Sequence, residues 1–231
     1  VLIDYTIIIL GGGIMPRKVK SAKPLIYVFC EGESEQAYTD YLKKTFSDVA
    51  VLKRPPDTGL FEEAEAKFSK SPKYKNSIEV TDEIWFFYDV EEKDIPKWND
   101  RLAIIKKLRK LRKKQGIRVR LLMTSGCIEY WFMLHYKYYT PKIITVPEKE
   151  RVISEVKKLV PTYAKGDYAA TEKIAVNYSK AVDNSKKTVK ALLPDGLPEL
   201  EDTDIRNQWL NTKSVTFSNV YEAIEFLQNL G

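Results

Sequence analysis

The chain has 231 residues, of which 44% are hydrophobic and 30% are charged, a composition typical of a globular protein. Its two cysteines and one histidine are too few for a zinc ribbon or zinc finger, which needs four soft ligands. The formal net charge of +6 is too small to identify a binding partner by itself. Cys30 lies in a predicted core strand and Cys127 at a predicted helix start. We therefore expect no disulfide and a reducing, cytoplasmic environment.

Residues 1–14 form a mostly apolar segment that is too short to span a bilayer and that contains Asp4. We expect Met15 to be the natural start and the preceding segment to be non-native or extra, with an added edge strand as the alternative. We also expect an α/β core over residues 15–140 and a helical part over residues 141–231 that packs on this core. No membrane association is expected.

The first predicted strand, Leu25–Cys30, is an apolar run between Pro24 and a charged stretch, which indicates a strand buried on both faces. Glu31 and Glu33 follow where the strand turns into a helix, and Ser34 is expected to cap that helix. Ligands of open α/β sheets bind at this end of the strands. The alternative is that both glutamates are solvated loop acids favoured by the helix dipole.

Strands and helices alternate along the rest of the core, which predicts an α/β fold with a parallel-rich sheet flanked by helices. The other strands are predicted at Val49–Lys53, Glu83–Tyr88 and Ile117–Met123. The other core helices are predicted at Leu60–Ser69, Lys97–Gln115 and Cys127–Tyr138. Pro96 is expected to start the second of these helices and Gly116 to end it. Beyond Pro141 the sequence predicts helices at Glu148–Leu159, Tyr168–Val182, Ser185–Leu193 and Asn219–Leu230.

Acidic residues follow three buried strands of the predicted core. Glu31 follows the first, Asp89 and Glu91 form a D-x-E after Glu83–Tyr88, and Glu129 follows the last. Strand ends at one edge of a parallel sheet converge, and carboxylates that share a site repel one another unless a cation neutralises them. Hard oxygen ligands suit Mg²⁺ or Mn²⁺. The alternative is an acidic loop edge without a ligand.

Three stretches of the sequence resemble motifs of the RloB-like family. The first motif, E-G-x-x-E followed by an aromatic residue, is matched by Glu31, Gly32, Glu35 and Tyr38. The second is a D-x-D-type motif, which Asp89-Val90-Glu91 resembles. The third is S-x-x-F-E-x-W-x-x-x-H, matched at Ser125, Glu129, Trp131 and His135. The resemblance extends from Pro24 to the C-terminal end and includes Tyr163–Lys165 and Asn211–Val220.

This resemblance implies a Toprim-like core, in which a glutamate after the first strand and a D-x-D after a later strand hold Mg²⁺. It also implies a metal-dependent nuclease that cleaves DNA or RNA in a phage-defence (abortive-infection) or restriction–modification locus, often beside a gene for an ATPase partner. Glu31 would then bind metal or act as a general base. Asp89 and Glu91 would hold Mg²⁺ or Mn²⁺, and Glu129 would bind metal or orient a water.

The sequence departs from the family pattern at Glu91, where the second aspartate is expected, and at Gly126 and Ile128, where proline and phenylalanine are usual. None of these changes removes a ligand, so they affect the geometry of the metal site more than its existence.

Several residues near the motifs allow two interpretations. His135 is a candidate catalytic residue, but it shares a helix face with aromatic residues, and a packed histidine with local hydrogen bonds is the favoured interpretation. Lys165, identified through the resemblance alone, could contact phosphate or be a surface lysine. Glu33 and Glu35 are weaker metal-ligand candidates than the other acids.

The densest positive charge lies between two of the acidic motifs in the sequence. It comprises Lys106, Lys107, Arg109, Lys110, Lys113 and Lys114, with Arg118 and Arg120 close behind. These residues could bind a nucleic-acid backbone, or they could form the solvated face of a helix.

The functional alternative to a nuclease is a non-catalytic nucleic-acid or nucleotide sensor that uses the same acidic site. A topoisomerase or primase relative ranks last, because the chain is too short for most such enzymes. The sequence does not indicate an oligomeric state.

Overall fold

The computed structural model describes residues 22–112 and 115–231, and its centre is a four-stranded sheet in which all strands are parallel. The strands are β1 (Leu25–Cys30), β2 (Val51–Lys53), β3 (Thr81–Val90) and β4 (Arg118–Ser125). Their order in the sheet is β2-β1-β3-β4. The predicted α/β fold is thereby confirmed. The predictions for residues 1–14, Lys113 and Lys114 fall outside the described residues.

Helices surround this sheet and account for more than half of the other described residues. The first five are α1 (Glu33–Thr45), α2 (Phe61–Lys70), α3 (Pro72–Lys75), α4 (Trp98–Arg109) and α5 (Ile128–Leu134). The second five are α6 (Val146–Leu159), α7 (Tyr168–Ala175), α8 (Tyr178–Lys190), α9 (Asp204–Thr212) and α10 (Tyr221–Gln228). Short 3-10 turns occupy Ile78–Val80 and Glu92–Lys97. None of the helices in these ranges is long and apolar enough to cross a membrane.

Both faces of the sheet are covered, which explains why β1 and β3 are apolar without alternation. On one face, Phe86 stacks on Phe61 of α2 with ring centroids 4.2 Å apart. On the other face, Phe87 meets Tyr38 of α1 edge-on at 6.1 Å, and Tyr38 also contacts Trp131 of α5. The aromatic residues that suggested buried strands therefore join the sheet to a helical layer on each side.

The C-terminal helices are fastened to β4 by residues 217–219, which run antiparallel to that strand. Thr124 and Ser218 form a β-bridge. The Asn219 side chain accepts a hydrogen bond from the Met123 N–H (2.6 Å) and donates one to the Leu121 carbonyl (2.9 Å). These bonds satisfy backbone groups along the edge of β4, which would otherwise be free to pair with another chain.

The helix predicted over Lys97–Gln115 is present as α4, but its predicted C-terminal end is wrong, because α4 ends at Arg109. Pro96 does not start this helix, because it lies in the preceding 3-10 turn. The Ile117 N–H donates to the Arg109 carbonyl at 3.2 Å, so Ile117 lies directly beside the end of α4. Gly116 permits this close approach, since a Cβ there would lie 2.9 Å from the same carbonyl oxygen. Repulsion among the closely spaced lysines also disfavours a longer helix.

Two further helix predictions are wrong in their boundaries. The predicted break near Asp183 lies inside α8, and the actual break is at Val176–Asn177. Asn184 explains the continuity, since its side chain is buried and donates to the Leu134 carbonyl at 2.7 Å. Helix α9, capped by the Thr203 side chain, was not predicted. Tertiary contacts override local propensity in this region.

Candidate carboxylate site at the carboxyl edge of the sheet

Four carboxyl groups gather where β1, β3 and β4 end. Glu31 directly follows β1, and Asp89 is the penultimate residue of β3. Glu35 lies in the first turn of α1, and Glu129 lies in the first turn of α5. The Glu31 carboxylate accepts a hydrogen bond from the Asp89 N–H at 3.0 Å, which joins the first two directly. We call these four residues the carboxylate site.

The loop between β1 and α1 brings the Glu35 side chain back over the strand end. Gly32 is the N-cap residue of α1, and a Cβ at this position would lie 2.8 Å from a Glu35 carboxyl oxygen. The prediction that Ser34 caps α1 is wrong. The Ser34 hydroxyl instead accepts the Gly166 N–H at 3.2 Å and lies 3.5 Å from the Tyr163 hydroxyl.

Burial and mutual repulsion raise the pKa values of these acids. Burial raises the pKa of Asp89 well above its usual value, and the charges of Glu35, Glu31 and Glu129 add to the effect. Burial, together with Glu31 and Glu129, raises the pKa of Glu35 to about 7. Burial also raises the pKa of Glu31, although its hydrogen bond from Asp89 opposes this shift. A bound cation would relieve the repulsion that these shifts report.

Two buried oxygens of the site have no hydrogen-bond partner in the described part of the chain, Asp89 Oδ1 and Glu129 Oε2. Glu129 is fully buried, and its other oxygen accepts a hydrogen bond from the Tyr163 hydroxyl at 2.8 Å. The Nζ of the exposed Lys165 lies 3.9 Å from that same oxygen. Unpaired buried acceptors are costly, so these two atoms are the ones that a cation would satisfy.

The donor set fits the predicted Mg²⁺ or Mn²⁺ in its chemistry, because it offers only hard oxygen ligands. Across residues 22–112 and 115–231, no three histidine, cysteine, aspartate or glutamate side chains already converge as a metal site. Glu31, Glu35, Asp89 and Glu129 are the residues that would hold the cation.

Glu91, the second acid of the D-x-E motif, has other partners. Its carboxylate pairs with Lys149 of α6 and with Lys93 at 2.6 Å. Burial opposes ionisation, but these two lysines outweigh it and lower the pKa of Glu91. Among the four acids that raise the pKa of Asp89, Glu91 has the smallest effect. In this arrangement Glu91 is engaged by cations rather than by the carboxylate site.

His135 is buried against aromatic rings. Its Nδ1 donates to the Trp131 carbonyl (2.9 Å), which leaves Nε2 to accept from the Tyr38 hydroxyl (3.1 Å). Burial lowers the pKa of His135 to about 4. Both ring nitrogens are thus used in local hydrogen bonds, as in the packed-histidine interpretation.

The predicted basic patch lies at the opposite edge of the sheet. Helix α4 follows β3 and leads into β4, whose first residue, Arg118, pairs with Glu83 near the start of β3. The end of α4 is therefore at the amino edge, and the six residue steps of β3 from Glu83 to Asp89 separate this edge from the carboxylate site by roughly 20 Å.

Several charges of this patch are paired within the protein. Lys107 binds Glu65 at 2.7 Å, and Arg109 binds both carboxyl oxygens of Asp204 at 2.8 and 2.9 Å. Arg120 is buried and pairs with Glu83. The patch lies between two acidic motifs in the sequence, but in the structure it is not close to the carboxylate site.

Sequence reasoning undervalued Glu35 and assigned no role to Tyr163. A signal for Glu35 was present, since it occupies the same buried face of α1 as Tyr38 and Leu42. An acid on the apolar face of a helix is unusual and points to a site. Tyr163 comes from a loop more than thirty residues after Glu129, and only the family resemblance hinted at it.

Comparison with known proteins agrees with the resemblance noted from the motifs. No curated protein sequence matches the chain. The sequence model of the RloB-like protein family matches residues 26–227, a span that runs from β1 into α10 and includes the carboxylate site. The chain therefore belongs to the RloB-like family.

Proposed function

We propose that the chain is a nuclease that uses Mg²⁺ or Mn²⁺ to hydrolyse phosphodiester bonds of DNA or RNA. We further propose that it acts in bacterial phage defence together with a partner ATPase. The observation that supports catalysis most strongly is the pair of buried, unpartnered oxygens on Asp89 and Glu129. Carboxylates arranged in this way at the carboxyl edge of a parallel sheet suit a divalent cation and a phosphate ester.

Each residue of the site has a role in this proposal. Asp89, Glu129, Glu31 and Glu35 would supply the oxygen ligands, and the bound cation would neutralise negative charge on the phosphate. The Tyr163 hydroxyl orients Glu129 through its 2.8 Å hydrogen bond. Lys165 is exposed beside Glu129 and would contact a phosphate oxygen of the substrate.

The first experiment is a cleavage assay with labelled plasmid, single-stranded DNA and total tRNA, each with and without Mg²⁺ or Mn²⁺. We expect metal-dependent cutting by the wild type and a loss of about a hundredfold or more in Asp89→Asn, because a charged ligand is removed. Glu33→Gln is the matched control, since Glu33 is an exposed acid in the same segment. Full activity of Asp89→Asn would refute the proposal.

The second candidate function is a sensor that binds nucleic acid or a nucleotide through the same acids without cutting it. The pairing of Glu91 with two lysines favours this candidate, because it withdraws the second acid of the motif. Tight metal-dependent binding without turnover, even after addition of the partner ATPase, would support the sensor over the nuclease.

A further inference from the structure

A positively charged groove of about 760 Å³ opens between α1, α3 and the edge strand β2. Its lining contains one acid, Asp40, and five basic residues, Lys43, Lys44, Lys53, Arg54 and Lys73. Asp40 is already neutralised, because Arg54 donates to both of its carboxyl oxygens at 2.7 and 3.0 Å. The groove therefore has a strong excess of positive charge.

Three of these cations are available to a ligand. Lys44 pairs with Glu172 at 2.7 Å, whereas Lys43, Lys53 and Lys73 are exposed and form no ion pair with any residue that the structure describes. At the end of α4, Lys106 and Lys110 are likewise exposed and without an ion pair among the described residues, but Lys107 and Arg109 are held by acids of the protein. The groove is thus the better candidate for binding a polyanion.

Aromatic residues accompany the charge. Tyr27 and Tyr74 form the floor of the lining with ring centroids 5.0 Å apart, but they are buried, at 2% and 5% exposure. Lys73 Nζ lies 5.9 Å from the Tyr74 ring. Tyr168, at the start of α7, is half-buried in the same lining. A cationic groove with interspersed aromatic rings is typical of proteins that bind single-stranded nucleic acid.

The groove is connected to the carboxylate site by residues 54–60. The Pro56 carbonyl, which lines the groove, accepts a hydrogen bond from Gln36, the neighbour of Glu35. The Gly59 N–H donates to the Cys30 carbonyl at 2.8 Å, directly before Glu31. Three residue steps from Pro56 to Gly59 span at most about 11 Å, so a strand in the groove could extend to the carboxylate site.

We propose that this groove binds the backbone of single-stranded nucleic acid and directs it toward the carboxylate site. The second half of this statement rests on the proposed function, but binding in the groove does not require the metal. An unstacked base can approach Tyr168, the half-buried ring of the groove, whereas a duplex keeps its bases stacked inside.

The test measures binding of a labelled single-stranded oligonucleotide by fluorescence anisotropy in EDTA, with a duplex of the same sequence as a second probe. The groove variant is Lys43→Glu/Lys53→Glu/Lys73→Glu. The control with the same net charge is Lys157→Glu/Lys187→Glu/Lys190→Glu, which changes three exposed lysines on α6 and α8. A third variant, Lys106→Glu/Lys110→Glu, tests the patch at the end of α4.

We expect the groove variant to bind the single strand at least about tenfold more weakly than the control. The slope of log affinity against log salt concentration should be smaller in magnitude for the groove variant than for the wild type, by about 2, because three phosphate contacts are lost. Equal affinities of the groove variant and its control would overturn the proposal, as would preference for the duplex or absence of binding by the wild type.

Asp89→Asn separates this proposal from the nuclease proposal, because it should retain binding in EDTA. A wild type that binds through the groove but never cleaves would refute the nuclease alone. Loss of binding in Asp89→Asn, with its fold intact by circular dichroism, would place the contact at the carboxylate site and overturn the groove proposal.

Discussion

At the scale of single residues, the carboxylate site is a place where stability and function oppose each other. Asp89 has a pKa raised by burial and by neighbouring acids, so its ionised form is less favourable in the folded chain than in the unfolded chain. The free energy of unfolding therefore falls as the pH rises above the usual pKa of an aspartate, because the carboxyl group then ionises in the unfolded chain but resists ionisation in the folded chain. A cation that binds only the folded state would restore it.

We therefore expect Asp89→Asn to raise the melting temperature in EDTA at neutral pH, by about 2 to 4 °C for each 1 kcal/mol of repulsion removed. Mg²⁺ should raise the melting temperature of the wild type and have a smaller effect on the variant. Differential scanning fluorimetry with and without the metal measures both effects. If Asp89→Asn has a lower melting temperature than the wild type in EDTA, repulsion among the carboxylates does not destabilise the folded protein.

His135 should make stability depend on pH in the opposite direction. It is neutral in the folded protein, with a pKa of about 4, and is protonated in the unfolded chain below its usual pKa of 6.5. The contribution of His135 to the free energy of unfolding is complete above pH 6.5. It declines by about 3 kcal/mol in total as the pH falls from 6.5 to 4. Urea unfolding of His135→Gln should lack this decline relative to the wild type.

Tyr38→Phe is the appropriate control for this measurement, because it removes only the hydroxyl that contacts His135 Nε2. It should retain most of the pH dependence. If His135→Gln and the wild type have the same pH dependence, His135 is not the titrating group.

The individual residues of the site were partly predictable. Glu31, Asp89 and Glu129 were identified because each follows a buried strand, and the sheet brings them to one edge as expected. Glu91 was predicted as a ligand from the same pattern, but its pairing with Lys149 depends on where α6 packs. No spacing within the motif contains that information.

At the scale of elements, the loop before α7 supports the carboxylate site. The loop includes Tyr163 and Lys165, and Gly166 packs against Glu33. The φ of +75° at Gly166 and its close approach to Glu33 both favour glycine at this position. A Cβ at this position would lie 2.9 Å from the Glu33 Cβ. The loop therefore cannot keep its position with a larger residue.

We expect Gly166→Ala to cost more than the roughly 1 to 2 kcal/mol that a left-handed conformation alone costs alanine. Gly196→Ala is the matched comparison, since its φ is +97° but the nearest atom to a Cβ would be 3.9 Å away. Urea denaturation of both variants gives the difference. If the two variants are equally stable, the contact between Gly166 and Glu33 does not hold the loop.

The elements were predicted well where hydrophobic periodicity was strong and poorly where tertiary contacts decide. The strands were predictable because short aromatic and β-branched runs such as Glu83–Tyr88 are typical of buried strands. The end of α4 was placed too late because its turn depends on Gly116 approaching the Arg109 carbonyl. Helix α9 was missed because it lies among acidic and polar residues without an apolar stripe.

At the scale of the whole molecule, the attachment of residues 217–219 to β4 joins the helical C-terminal part to the sheet. Asn219 is the principal contact, with its side chain bonded to Leu121 and Met123 and its N–H bonded to the Met123 carbonyl. The predicted division into a core and a helical part remains a prediction. These bonds indicate that the two parts unfold together.

We expect Asn219→Ala to destabilise the protein by about 2 to 4 kcal/mol, because it leaves two buried backbone groups of β4 without a partner. The exposed Asn229, which follows α10, gives the control Asn229→Ala, for which we expect almost no change. Chemical denaturation followed by circular dichroism and by tryptophan fluorescence should give one coincident transition. Two separated transitions would show that the C-terminal helices unfold independently.

The same attachment has a consequence for the order of folding. Strands β1 to β4 can pair through connections of moderate length, but the bonds from Asn219 close a loop of 96 to 98 residues. Closing a long loop is entropically costly and comes late on a folding pathway. During refolding, a species with an assembled sheet and a bare β4 edge would precede the native state. Association between such species would compete with this last step, so the yield of refolding should fall as protein concentration rises.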